Sequence, residues 1–234
     1  MGGYFEGRGL IWNLNAAATP KAADVAHHTA HATELARVQI EMGGRAKIGP
    51  ALTRLLREHI FEKHPEVPLR VYFAKALDLS FLEDLPMVQD LNVEVGARID
   101  SAGSLRVLRK LRTLALTLPN VVAPDILAGL SPTLESLSLG PDGAKHADID
   151  LTPVTALPEL RTLMLRDFGT DLSEGVLPRL TKLRRLVLRS IKNMKRLDPI
   201  SGLTELRSLT LQRGAASGHL CLHWARTQSE TKDA

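Results

Sequence analysis

Residues 160–165 read Leu-Arg-Thr-Leu-Met-Leu, residues 183–188 read Leu-Arg-Arg-Leu-Val-Leu, and residues 206–211 read Leu-Arg-Ser-Leu-Thr-Leu. The same Leu-x-x-Leu-x-Leu pattern begins at residues 88, 111 and 134, with valine at two of its positions in the first copy. Successive copies start 23, 23, 26, 23 and 23 residues apart. A step this regular indicates a repeat array with units of roughly 20–29 residues.

Each copy combines two spacings with different physical meanings. Leu-x-Leu places both side chains on one face of an extended strand, because successive residues alternate in direction. Leucines at steps of three precede each copy, as at Leu151, Val154 and Leu157, and fit a tight helical turn with one buried side. Such a unit can bury its leucines only against a neighbouring unit. Steps of three also suit an amphipathic helix, but a proline in nearly every unit would break it.

These units resemble the leucine-rich-repeat family over about residues 76–213. Residues 151–154 (Leu-Thr-Pro-Val) and 197–200 (Leu-Asp-Pro-Ile) precede two of the copies. They are similar to the Leu-x-Pro-Leu repeats of bacterial members, including internalin-type arrays and the sensor tails of some signalling NTPases. The resemblance implies an α/β leucine-rich-repeat solenoid, a curved right-handed superhelix with a parallel β-sheet on its concave face.

One feature departs from the family pattern. The family usually has Asn or Cys three residues after the last strand leucine, where the side chain bonds the turn backbone. The sequence has other residues at these positions: Gly96, Pro119, Asp142, Phe168, Ile191 and Gly214. We therefore expect the turns to be satisfied by other groups.

Residues 1–66 do not follow the repeat, and we interpret them as an N-terminal helical cap. Thr19-Pro20 is typical of a helix start, and the predicted first helix runs to Met42, before Gly43-Gly44. A second helix is predicted from Pro50 to just before Pro65. Its apolar stripe would cover the open end of the first repeat.

The solenoid itself is predicted over residues 67–213. Alternation at Leu69, Val71 and Phe73 indicates a lead-in strand. Residues 214–234 are interpreted as a closing strand, from the alternation of Leu220, Leu222 and Trp224, followed by a disordered polar tail.

Composition bears on location. The chain has 234 residues, 44% of them hydrophobic but only 4% aromatic, so leucine must build most of the core. The single cysteine, Cys221, cannot form an internal disulfide, which favours a reducing compartment. The sequence contains no run of about 18 apolar residues, so it does not predict a membrane-spanning helix. We therefore predict a cytoplasmic protein without a membrane segment.

The sequence offers little support for catalysis or for a cofactor. His27 and His31 are four residues apart and could face one metal ion, but His28 occupies the place of the glutamate in a His-Glu-x-x-His motif. A polar helix face explains these histidines better than a metal site. Residues 43–47 are glycine-rich and basic, yet they lack the spacing of a phosphate-binding loop. We expect no enzymatic activity, no cofactor and no metal.

The informative surface is the concave face, where residues between the leucines point outward. Residues 156–213 contain twelve Lys/Arg and six Asp/Glu, so this segment carries a net charge of +6 while the whole chain carries +4. The face should run from acidic at its first strand to basic at its fifth, with apolar residues between the arginines. We predict that it binds an acidic surface of a partner protein through these residues: Arg161, Met164, Arg166, Arg184, Arg185, Val187, Arg189 and Arg207.

Three alternatives stay open. The same arginines could bind nucleic acid, although the aromatic residues that stack on bases are nearly absent from these strands. The chain could be the sensor tail of a larger signalling NTPase, against which an intact reading frame beginning at Met1 would count. The extra length between the third and fourth copies, near residues 141–148, could form a binding loop.

Overall fold

The computed structural model describes residues 4–6, 9–44, 47–119, 123, 125–141, 149–168, 172, 175–191, 198–212 and 221–225. In this part of the chain eleven strands form one sheet, and their spatial order is their order along the chain. The strands are β1 (Tyr4–Glu6), β2 (Gly9–Asn15), β3 (Leu35–Glu41), β4 (Leu69–Asp78), β5 (Asp90–Asp100), β6 (Thr113–Leu118), β7 (Ser136–Pro141), β8 (Thr162–Arg166), β9 (Arg185–Arg189), β10 (Ser208–Gln212) and β11 (Cys221–Ala225).

The nine strands from β2 to β10 are parallel, and the two outer strands, β1 and β11, pair antiparallel with their neighbours. In their described parts, the connections between parallel strands contain short helices or turns. The described helices are α1 (Ala22–Ala30) and α2 (Pro50–Leu56), which continues as a π-helical turn over Arg57–Phe61. The 3₁₀ segments are Ala32–Glu34, Leu79–Asp84, Ala102–Val107, Thr152–Ala156, Leu177–Arg179 and Asp198–Gly202.

The strand leucines stack in register from β5 to β10. Pairing between these strands is unshifted, so that equivalent leucines lie side by side from Leu91 to Leu209. The leucines of β5 to β9 in this column are at most 1% exposed. They belong to one continuous apolar core that extends from Leu10 to Leu206. Stacking therefore buries what no single unit could bury.

The N-terminal region differs from the predicted helical cap. Residues 35–41 form a strand, so the helix predicted to run to Met42 is wrong beyond Ala30. The second helix does start at Pro50, as predicted. Val38 pairs with Leu69, which means that the sheet continues across the boundary predicted at residue 66. Residues 9–66 thus form two further strand–helix units rather than a separate cap.

At the other end, β11 pairs with β10 and places Trp224 opposite Leu209. A closing strand is predicted here from alternation, and β11 covers residues 221–225 of that region. Leu220 and the tail predicted to be disordered lie outside the described residues, as does most of the 141–148 insertion.

Apolar side chains occupy three of the four described positions where the family usually has asparagine, and the fourth is Gly96. Phe168 is 0% exposed, Pro119 is buried, and Ile191 packs partly buried against the core. In the turn before β7, at the opposite end of the strands, two hydroxyl groups bond backbone carbonyls of the preceding unit. The Ser131 hydroxyl donates to the Arg109 carbonyl at 2.7 Å, and the Thr133 hydroxyl donates to the Leu111 carbonyl at 3.0 Å.

Candidate partner-binding face

The sheet face opposite the core, which we name the open face, carries three rows of side chains that run across the strands. In register from β5 to β10, the first row is Asp90, Thr113, Ser136, Thr162, Arg185 and Ser208. The middle row is Asn92, Ala115, Ser138, Met164, Val187 and Thr210. The last row is Glu94, Thr117, Gly140, Arg166, Arg189 and Gln212.

A hollow of about 230 Å³ lies at the centre of the open face. Its floor is made by short side chains of β6 and β7: Ala115, Thr117, Ser138 and Gly140. Asn92 and Glu94 line one side, and Met164, Arg166 and Arg189 line the other. The hollow exists because small residues on two adjacent strands are flanked by long residues on the strands to either side.

Gly140 allows Arg166 to lie close against the strand beside it. A Cβ atom at Gly140 would come within 2.9 Å of the Arg166 Nε and 3.2 Å of its Cβ, closer than side chains pack. Arg166 Nη2 donates a long hydrogen bond to the Pro141 carbonyl at 3.4 Å, and its Nε lies 3.6 Å from Asp167 Oδ2. The side chain is still 50% exposed, so Arg166 is oriented at the rim of the hollow but accessible.

The predicted arginines fall into two groups. Arg185 and Arg189 are exposed on the open face, and neither forms an ion pair within the part of the chain that the structure describes. Arg161 and Arg184 lie just before their strands and are paired with carboxylates, at 3.5 Å from Glu159 and 3.2 Å from Glu205. These two arginines are therefore partly neutralised within the chain.

Arg207 occupies the equivalent position before β10 and is exposed. The equivalent positions in the preceding units are occupied by Arg112, Glu135, Arg161 and Arg184. From Glu135 to Arg207, the backbone amide of each of these residues donates to the backbone carbonyl of the equivalent residue one unit earlier. We name these five residues the edge row. Arg112 and Glu135 form a 2.7 Å ion pair within it.

The apolar residues predicted between the arginines are placed differently from each other. Met164 is half-buried and lines the hollow, where a partner could contact it. Val187 is only 2% exposed, with Met164 and Thr210 on either side of it in the middle row. In this arrangement Val187 offers a partner almost no surface, so it supports its neighbours rather than forming a contact.

At the acidic end of the open face, the negative charge of Glu94 is balanced by Arg70. Glu94 accepts two hydrogen bonds from Arg70, from Nε at 2.9 Å and from Nη2 at 3.0 Å. Arg70 Nη1 also donates to Gln39, whose amide donates to Asn13 at 2.7 Å. Burial raises the pKa of the nearby Asp90 carboxyl above its ordinary value. Because Arg70 pairs with Glu94, the charge of Glu94 is balanced within the face, whereas the arginines of β8 and β9 are exposed.

Phe73 is an exposed aromatic residue within β4. Strict alternation would place it on the same side as the buried Leu69 and Val71, yet it is 72% exposed. A β-bulge explains the difference: Val71 pairs with Val93 and Ala74 pairs with Val95, so Tyr72 and Phe73 together face Glu94. The centroids of the Phe73 and Tyr72 rings are 4.9 Å apart. The Arg70 guanidinium lies over the Tyr72 ring, 4.8 Å from its centroid.

The His27 ring contacts both of the other N-terminal histidines, with its centroid 5.1 Å from that of His28. His31 Nδ1 lies 3.0 Å from Glu34 Oε1, and the His27 ring lies 4.8 Å from the His31 ring. His28 stacks on Trp12 inside the fold. Within the described residues no three His, Cys, Asp or Glu side chains are grouped so as to hold a metal ion. None of the described helices is both long and apolar enough to cross a bilayer.

No protein-family model and no curated protein matches the sequence. Among solved structures, an internalin from Listeria monocytogenes is similar, with a TM-score of 0.53 and 22% sequence identity. The match covers 79% of this chain and 49% of the internalin chain, so this chain spans about half the length of that protein. Together with the nine parallel strands, this similarity confirms the predicted fold class: the chain folds as an α/β leucine-rich-repeat solenoid.

Proposed function

We propose that this chain is a non-enzymatic protein-interaction module that binds an acidic surface or segment of a partner protein through the open face. The observation that carries the proposal is the pair Arg166 and Arg189, which line the central hollow, with Arg185 exposed on the first row of the same face. Two of these guanidinium groups have no carboxylate partner within the described residues, and the third is half exposed. Met164 adds an apolar contact at the same rim.

The chemistry of the rim suits carboxylates. A guanidinium group presents a planar fork of N–H donors that can bind a carboxylate through two parallel hydrogen bonds. Charged contacts in a sheltered recess are screened less than those on an open surface. The edge row offers less, because Arg161 and Arg184 already have carboxylate neighbours. We therefore assign the main contribution to the face arginines.

A protein partner is favoured over nucleic acid. Strands β6 to β10 contain no aromatic residue, and binding of single-stranded nucleic acid relies on aromatic side chains that stack on the bases. A cytoplasmic location and a role as the sensor tail of a larger NTPase stay predictions. A chain with one cysteine is compatible with a reducing compartment.

The proposal can be tested by affinity capture from a cell lysate, followed by mass spectrometry. Wild type is compared with a variant in which Arg166, Arg185 and Arg189 are changed to Glu. A matched control changes Arg161, Arg184 and Arg207 to Glu, which makes the same change in net charge at the edge row. We expect an acidic protein to be captured by wild type and by the edge-row control, and to be lost from the face variant.

Circular dichroism must first show that all three proteins are folded, and nuclease treatment must leave the captured protein unchanged. Equal capture by wild type and by the face variant would contradict the proposal. Capture that nuclease abolishes would instead favour the nucleic-acid alternative.

A further inference from the structure

The backbone at Phe73 is held in an unusual conformation. Its φ is +55°, in the left-handed region that a bulky aromatic residue rarely adopts. The other non-glycine residues with positive φ in the described chain are polar, and each directly follows the end of a strand: Ser101, Asp167 and Ser190. Phe73 instead lies inside β4, where the bulge exposes 72% of its side chain to solvent. Phe73 thus combines a strained backbone, which lowers the stability of the fold, with a large apolar side chain that is exposed to solvent.

The position of Phe73 relates it to the arginines. Tyr72 and Phe73 lie opposite Glu94, which is the first residue of the last row. Arg166 and Arg189 belong to the same row, four and five strands away. Thr117 and Gly140 lie between them and form part of the hollow. One row across the sheet therefore has an exposed aromatic ring at one end, a recess in the middle and two exposed arginines at the other end.

The length of this row fits a short peptide. Neighbouring strands lie about 4.8 Å apart, so the distance from β4 to the middle of β8 and β9 is about 22 Å. An extended chain advances about 3.3 Å per residue, so six or seven residues span that distance. Glu94 does not block an acidic chain along this path, because Arg70 neutralises its carboxylate.

We propose that the open face binds an extended peptide segment that lies across the strands. Its carboxylates contact Arg166 and Arg189, and an apolar side chain six or seven residues away packs on Phe73. This inference rests on the proposed function, since it uses the same arginines, but it adds a second contact and a defined spacing. The exposure and strain of Phe73 are explained if the ring packs against a partner.

Fluorescein-labelled synthetic peptides test this proposal directly. Each carries three glutamates and one leucine separated by two to ten Gly/Ser residues, in both chain directions, and a companion series has serine in place of leucine. Binding is measured by fluorescence anisotropy for wild type, for Phe73→Asn and for the double variant Arg166→Glu/Arg189→Glu. Asn tolerates positive φ, so Phe73→Asn keeps the bulge while it removes the ring. Ser101→Asn is the matched control at another left-handed position.

We expect wild type and Ser101→Asn to bind the leucine peptides most tightly at a spacing of six or seven residues. Phe73→Asn should weaken that binding about tenfold and leave the serine peptides unaffected, because only the apolar contact is lost. Equal affinity of wild type and Phe73→Asn for every leucine peptide would overturn this inference while leaving the proposed function intact. Equal affinity of wild type and the double arginine variant, or no binding of any peptide by wild type, would overturn both.

Discussion

His28 is a buried ionisable side chain on the rear of the sheet. Its ring stacks on the Trp12 indole with centroids 4.6 Å apart, and the residue is only 2% exposed. Its Nδ1–H donates to the Asp24 backbone carbonyl at 2.7 Å, while Nε2 is buried and has no hydrogen-bond partner among the described residues. Burial lowers the pKa of His28 below 6.5, opposed by the Asp24 hydrogen bond and reinforced by the neighbouring His27 and His31.

Because the folded state resists protonation of His28, we expect the free energy of unfolding to decrease as the pH falls below about 6.5. The unfolded chain binds the proton in this range and the folded chain does not, so the loss continues down to the folded-state pKa. A folded-state pKa one unit below that of the unfolded chain corresponds to a loss of about 1.4 kcal/mol in the free energy of unfolding at low pH. Urea unfolding between pH 5 and 8 measures this effect.

The matched variants for this measurement are His28→Phe and His59→Gln. Phenylalanine retains the stacking on Trp12 but cannot ionise, so its stability should depend less on pH than that of wild type. His59→Gln should behave as wild type does. If His28→Phe retains the full pH dependence, then His28 is not its source.

Single residues of the open face were predictable to different degrees. Arg166 and Arg189 were placed correctly, because alternation along a strand decides which face each residue occupies. The burial of Val187 depends on its neighbours in other strands, and the exposure of Phe73 depends on a bulge. Neither cause is local in sequence. The exposure of these two residues therefore depends on tertiary structure and not on local alternation.

At the scale of single elements, the turn before β7 is held by a buried hydroxyl group. Ser131 is 2% exposed, and it donates to the Arg109 carbonyl of the preceding unit. The Thr133 hydroxyl lies 2.8 Å from it and bonds the Leu111 carbonyl. These two side chains connect one unit to the next on the side of the sheet where each strand begins.

We expect Ser131→Ala to lower the free energy of unfolding by about 0.5–1.5 kcal/mol, since it removes the hydrogen bond that the buried Ser131 hydroxyl donates to the Arg109 carbonyl. Thr133 is a weak substitute because its hydroxyl lies 3.5 Å from the same oxygen. Ser136→Ala, on the half-exposed first row, is the control and should change stability by less than about 0.5 kcal/mol. Denaturant midpoints of the three proteins decide the matter, and equal values would mean that Ser131 contributes no net stability.

The elements of the repeat were predictable, whereas those of the N-terminal region were only partly so. The same Leu-x-x-Leu-x-Leu pattern recurs six times, and the repetition makes the assignment of a strand to each copy more secure than a single copy would. Residues 35–42 offered no such repetition. Leu35, Val38 and Met42 fit a helix, while Val38, Ile40 and Met42 fit a strand. The β-branched residues favour the strand, and pairing with β4 selects it.

At the scale of the whole molecule, each strand pairs only with its sequence neighbours, so stability is distributed unit by unit. The central units are buried most completely: Leu114, Leu137 and Leu163 are at most 1% exposed. In β10, Leu209 and Leu211 are only partly buried. The apolar contribution should therefore be smaller at the C-terminal end of the array than at its centre.

We expect amide hydrogen exchange to follow this distribution. The backbone amides of β6 to β8 should exchange at least tenfold more slowly than those of β10, because the end unit can open without disrupting the centre. Hydrogen–deuterium exchange with mass spectrometry resolves these segments. Uniform protection from β6 to β10 would show instead that the array opens as a single unit.

Because pairing from β5 to β10 is unshifted, the distance between two residues of the same row is set by the number of strands that separate them. Duplicating one repeat between Phe73 and Arg166 would leave every row aligned and lengthen the path between them by one strand spacing, about 4.8 Å. Deleting one repeat would shorten it by the same amount. The reach of such a surface can therefore change in fixed increments, through gain or loss of whole repeats, while the chemistry at either end stays the same.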